Sequence, residues 1–302
     1  MNILLTGHGR LGVPLAQRLG ALGHRVRILS RTPRDEAPWD VAVGRLDRAD
    51  DVLAAADGCD LIVHNGAIIE RDHDFARHEQ FVATNVGGSA NVFRAAVTVG
   101  ARHVVHLSSD AALDRPTAEE VDAAGRAHCV RDGDPPTRGG LYGLTKSLAE
   151  QLGRYYRDRH GLSLTILRPG WFPEPGELAD HEFAYRLLGS CVWVGDVIAA
   201  VLAAIENPAQ GAFLIHAATP FADADAVEML CDPAAVLRRY WPEEAEWWLG
   251  QGLATPPIRQ WADITPARQS LGYAPTLDFA RAVARLRDGK SPWPTAGVQL
   301  AR

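Results

Sequence analysis

Short apolar runs alternate with helical patterns over the first two thirds of the chain. Residues 3–5 form a buried strand at the start, and 13–19 follow with helical spacing. Residues 25–29, 41–43, 60–64, 102–107 and 162–167 read as further strands. Residues 75–99 and 140–160 read as long helices, the first interrupted near Gly87-Gly88 and closed by Gly100, the second closed by Gly161. Strands alternating with helices predict a parallel sheet covered on both faces, and right-handed crossovers make it doubly wound. Beyond Pro169 the pattern changes. Residues 171–176 are loop-like, 197–205 form an apolar helix with Asp196 as its N-cap, and 212–216 read as a return strand. Residues 218–302 are mostly helical and carry Trp241, Trp247, Trp248, Trp261 and Trp293, a cluster that reads as a small core rather than a ligand platform. The predicted organisation is a nucleotide-binding α/β domain over 1–169 with a return segment at 193–217, and a substrate lobe from 170–192 and 218–302.

Chemistry enters at the first turn. Gly7-x-Gly9-x-x-Gly12 lies between a strand and a helix, the context in which this motif binds a dinucleotide. Gly7 permits the tight turn, Gly9 admits a pyrophosphate to the backbone, and Gly12 lets helix and strand pack closely. The helix N-terminus then offers N–H groups and partial positive charge to the phosphates. This makes the sheet Rossmann-like. Tyr142 and Lys146 share one helix face, one turn apart, downstream of Ser108-Ser109. A lysine beside a phenol lowers its pKa, and a serine hydroxyl can share its proton. The spacing alone equally fits an exposed Lys beside a half-buried Tyr. His64-Asn65-Gly66-Ala67, Ser108-Ser109 and Arg168-Pro169-Gly170 all follow predicted strands, so the candidates converge on one sheet edge.

Composition narrows the class. The 302 residues are 47% hydrophobic and 23% charged, as in a globular protein. A net charge of −6 argues against a nucleic-acid surface. No apolar run reaches the length of a membrane span. The first strand begins within three residues of Met1, which leaves no room for a signal peptide and predicts a cytoplasmic protein. Cys59, Cys129, Cys191 and Cys231 lack metal-ligand spacing and read as thiols, and the histidines read as non-ligands.

These motifs resemble the extended, epimerase/dehydratase-like branch of the short-chain dehydrogenase/reductase superfamily, well over 1–217 and loosely beyond. Thr6 to Gly12 is similar to its TGxxGxxG turn, one residue shorter. Residues 62–67 are similar to VxHxAA, 84–91 to TNVxGTxN, 107–110 to the start of LSSxxVYG, and 263–275 to its C-terminal D-x-x-K-A-x-x-x-L-G-y-x-P segment. The resemblance implies Tyr142 as general acid/base, Lys146 as its tuning partner and ribose ligand, and Ser109 as the catalytic hydroxyl. It implies cofactor contacts from Thr6, Gly7, Gly9, Arg10, Leu11, Gly12, Ser30, Arg31, Leu46, Asn65, Gly66, Ala67, Asn85, Tyr142, Lys146, Pro169 and Gly170. The tyrosine of VYG is absent, and Ser109-Asp110-Ala111 lacks the glutamate a dehydratase would need. A homodimer is implied through the two long helices, with Ala149, Leu152 and Tyr156 on the shared face.

Strand two ends in Ser30-Arg31 with Arg34 nearby, where a carboxylate would select NAD. That pattern favours NADP, with NAD the alternative. Arg45 stands where the family often has an adenine-facing aspartate. The leading expectation is an oxidoreductase moving hydride between nicotinamide and a carbonyl or alcohol of a small, polar, sugar-like substrate. The alternatives are a sugar or nucleotide-sugar epimerase and a non-catalytic NADP-binding regulator. Arg168, Arg259 and Arg268 are candidates for an anionic substrate group and equally for ordinary ion pairs.

Overall fold

Asn2–Thr6 (β1), Arg25–Ser30 (β2), Asp40–Val43 (β3), Leu61–His64 (β4) and His103–Leu107 (β5) are the first strands of a wholly parallel main sheet. The computed structural model describes residues 1–33, 38–69 and 77–294. His128–Val130 (β6) leaves that sheet, and Leu164–Pro169 (β7) and Gly211–Ile215 (β8) complete it in the order β3-β2-β1-β4-β5-β7-β8. Gln260–Ala262 (β9) pairs with β6 in a separate two-stranded parallel sheet that the sequence pattern did not reveal.

The unbroken apolar runs follow from burial on both faces. Ile3 and Leu5 of β1 join one core with Leu15, Leu19, Val197 and Val201. Leu4 points the other way and joins Val52, Phe93 and Ile166. Order reverses at β1, between β2 and β4, so the switch point lies beyond the ends of β1 and β4. A third core unites Phe183, Leu187, Trp248, Trp261, Phe279 and Trp293 with Ala127 and Cys129 beside β6. Trp248, Trp261 and Trp293 are at most 5% exposed and pack this lobe. Asp196 lies in the first turn of the helix Val194–Glu206 but caps nothing there. Its carboxylate instead accepts from Thr276 and Leu277, pinning the C-terminal segment to the main domain.

Two helices carry the site. Of the predicted 75–99 helix, residues 75 and 76 lie outside the described residues; His78–Phe81 is helical, and the expected interruption is a π-helical turn over Val82–Gly87 before Gly88–Val99. The other, Leu141–His160, ends at Gly161 as expected. Gly143 lets it dock, since a Cβ there would stand 2.2 Å from the Ala111 carbonyl oxygen. Among the described residues no helix is long and apolar enough to cross a membrane.

Candidate active site

The carboxyl ends of β1, β4, β5 and β7 open into one cleft of about 1080 Å³. At one end it is lined by the glycine turn and the loops after β2 and β3. At the other it is lined by Ser109, Asp110, Tyr142, Gly170 and Trp171. Of the predicted residues, Gly7, Gly9, Arg10, Leu11, Ser30, Arg31, Leu46, Asn65, Gly66, Ala67, Ser109, Tyr142, Lys146, Pro169 and Gly170 meet here.

Thr6, Gly12 and Asn85 do not line the cleft but hold its walls. Thr6 Oγ1 accepts from the Gly66 N–H at 3.0 Å and pairs with His64 Nδ1 at 2.7 Å. The other nitrogen of His64 meets Ser89 Oγ at 2.9 Å, so the buried imidazole ties β1 to the long helix. Asn85 accepts from the Ile68 N–H and donates to the Ile68 carbonyl and Thr145 Oγ1. It therefore fixes the loop after β4 against the helix of Tyr142. A Cβ at Gly12 would fall 2.1 Å from the Gly7 carbonyl oxygen. One at Gly9 would meet nothing within 4 Å, which leaves the backbone open to a ligand. This cradle, opening the ten-residue helix Gly12–Ala21, fits a dinucleotide pyrophosphate.

At the other end Tyr142 lies beside Ser109. The expected lowering of its pKa is corrected here. Burial pushes the phenol up to about 12, with Asp110 adding to the rise and Ser109 opposing it. Lys146 donates to the Leu107 carbonyl, and burial brings its ammonium down to about 8. Ser109 Oγ also accepts from the Ala111 N–H and lies 3.3 Å from Asp110 Oδ1. Asp110 is buried, paired with Arg115 at 2.8 Å and 3.4 Å from His216 Nε2. His216 and Arg115 carry no motif. The parallel pairing of Pro169 with Ile215 is what brings His216 beside Gly170.

The arginine candidates resolve differently. Arg168 is buried and bonded to both oxygens of Glu150 and to the Asp132 carbonyl. Arg259 pairs with Asp122. Arg268 lines a separate small pocket beside Cys129 and Asp263. Arg10 reaches across the cleft to Glu177 through two bonds of 2.6 and 2.8 Å, an ion pair with no sequence signal because 167 positions separate them. Ala149, expected on a dimer face, is fully buried within the chain. Outward apolar positions on that helix are Leu144, Leu148 and Tyr155.

A family model described as "NAD dependent epimerase/dehydratase family" matches residues 3–184. An L-arabinose 1-dehydrogenase (NAD(P)(+)) of Haloferax volcanii is 30% identical over 188 residues, 58% of this chain and 71% of that one. A uronate dehydrogenase of Agrobacterium fabrum is 30% identical over 225 residues, 72% of this chain and 77% of its own length. In fold, a short-chain dehydrogenase/reductase superfamily protein from Agrobacterium tumefaciens with bound NAD aligns with a TM-score of 0.69 at 20% identity, covering 96% of this chain and 98% of that one. Other neighbours in fold include nucleotide-sugar 4-epimerases, some of them holding NAD.

The expectation of NADP is overturned by these neighbours, which hold NAD. Arg31 is exposed, and Ser30 Oγ accepts from the Thr32 N–H of its own turn. Arg34 lies outside the described residues. Asp47 lines the same end of the cleft, paired with Arg45.

Proposed function

Since the chain belongs to the NAD dependent epimerase/dehydratase family, we propose that it is an NAD-linked oxidoreductase acting on a hydroxyl-bearing carbon of a sugar-like substrate. The observation that carries this reading is the meeting of Ser109, Tyr142 and Lys146 at one end of a cleft whose other end is the glycine cradle. The cradle, Asn65 to Ala67, and Pro169-Gly170 would hold the dinucleotide along the strand ends. Bound there, NAD supplies the acceptor for a hydride.

The chain's own residues handle the oxygen. In oxidation the C–H bond gives up hydride with its electron pair, the O–H bond breaks, and the carbon becomes a carbonyl. Tyr142 takes the hydroxyl proton, and Ser109 holds the same oxygen. In reduction the neutral phenol gives that proton back. Lys146, when charged, lowers the cost of the phenolate.

Net dehydrogenation is supported by the curated relatives, which oxidise free sugars or sugar acids by name. The epimerase reading has the family description and several neighbours in fold behind it. Against a nucleotide-sugar diphosphate stand the arginines near the substrate end. Arg10, Arg115 and Arg186 already face Glu177, Asp110 and Glu182.

The test is NADH formation when the purified protein meets NAD with a panel of aldoses and hexuronic acids. We expect NADH to accumulate with at least one of them. Interconversion of a nucleotide sugar without net NADH would replace this reading with the epimerase.

A further inference from the structure

We infer that Trp171 is the platform on which the substrate ring lies, and that the substrate is therefore a cyclic sugar presenting one C–H face to the indole. The inference rests on the proposed activity and adds to it the shape of the molecule.

Trp171 is a large aromatic side chain of the cleft. It is 43% exposed and lines the cleft directly after Pro169 and Gly170. Leaving an indole in water forgoes much of the burial that ordinarily stabilises a fold. Its backbone is nevertheless fixed. The N–H donates to the Ser190 carbonyl at 3.0 Å, and its carbonyl accepts from the Val192 N–H at 2.9 Å, a bridge opposite Cys191. The ring is braced as well: the Arg186 guanidinium lies 5.7 Å from its centroid and is itself bonded to Glu182 at 2.9 Å. An indole that is braced by a cation yet 43% exposed in the cleft is pre-organised for a ligand.

The rim of the same cleft identifies the ligand's chemistry. Tyr142, Ser109 and Asp110 offer hydroxyl and carboxylate groups beside one flat apolar surface. A pyranose or furanose matches that pattern, with C–H bonds on a ring face and hydroxyls around its edge. An open-chain polyol has no fixed face to stack.

Trp171→Ala and Trp171→Phe, assayed with NAD against the best cyclic sugar of the panel and against glycerol, decide the matter. We expect Trp171→Ala to raise KM for the cyclic sugar at least about tenfold with a much smaller change in kcat, and Trp171→Phe to recover most of the loss. The NAD-induced thermal shift should stay at the wild-type value in both. An unchanged KM in Trp171→Ala, or a Phe variant no better than Ala, overturns the platform while leaving the proposed activity standing. A wild-type enzyme that turns over no sugar overturns both.

Discussion

At Tyr142 burial and a neighbouring carboxylate outweigh the Ser109 hydroxyl, and the phenol rises to about 12. The resting tyrosine is therefore an acid. Oxidation of an alcohol draws on its phenolate, so that rate should climb as pH rises towards about 8, where Lys146 sheds its own proton. Tyr142→Phe should cut kcat by about 10²–10⁴-fold while leaving the thermal shift produced by NAD unchanged. Wild-type turnover in that variant would remove Tyr142 from the proposed chemistry. The residue types were readable from spacing, because Tyr142, Lys146 and the glycine turn act through local geometry. Their charge states were not. Those depend on how close Asp110 comes to Tyr142 and on the depth of the helix beneath the sheet edge, and no window of sequence holds either.

The helix Leu141–His160 does more than carry that pair. One turn beyond Lys146, the buried Glu150 accepts from Ser108 Oγ at 2.6 Å, from Arg168 at 2.6 and 2.8 Å, and from Arg154 at 2.9 Å. It thus locks the ends of β5 and β7 to the helix, and these ends bear Ser109 and Gly170. Glu150→Gln should cost about 3–5 kcal/mol in denaturant unfolding, because it strands the Arg168 guanidinium in the interior. Replacing both partners, as Glu150→Leu with Arg168→Met, should cost less than Glu150→Gln alone. Equal losses would mean that the charge is solvated and the lock unimportant. Elements with strong periodicity or glycine stops, such as this helix and β1, were legible in the sequence. The three-residue strands β6 and β9 were not, since each exists only by pairing with the other across some 130 positions.

Across the whole molecule the central sheet hides histidines that stay neutral when folded. Burial lowers His64 to about 3 and His103 to about 4, and it drives His106 well below its ordinary value. All three belong to β4 or β5. The ring of His106 stacks on His64 at 5.0 Å, and among the described residues neither of its nitrogens has a hydrogen-bond partner. In the unfolded chain each protonates near ~6.5. Folded values below unfolded ones mean that the unfolded state binds more protons. Stability is then full above that pH and falls as acid approaches the folded values. Each histidine steepens the fall by about 1.4 kcal/mol per pH unit. Asp132 works against it: burial raises its carboxyl to about 6, so it takes up a proton in the fold before it does in the unfolded chain, and acid stabilises it there. Asp196, whose carboxyl burial also raises, acts in the same sense as Asp132, while His24 is lowered like the three sheet histidines, and the balance is a net destabilisation on mild acidification. His106→Phe should flatten that acid limb in urea unfolding while changing stability little at neutral pH, because the ring packs edge-on to Phe93 at 5.5 Å in a site with no polar partner to lose. An unaltered acid limb in His106→Phe would locate the sensitivity elsewhere, in carboxylates such as Asp110 whose pairing with Arg115 is lost on protonation.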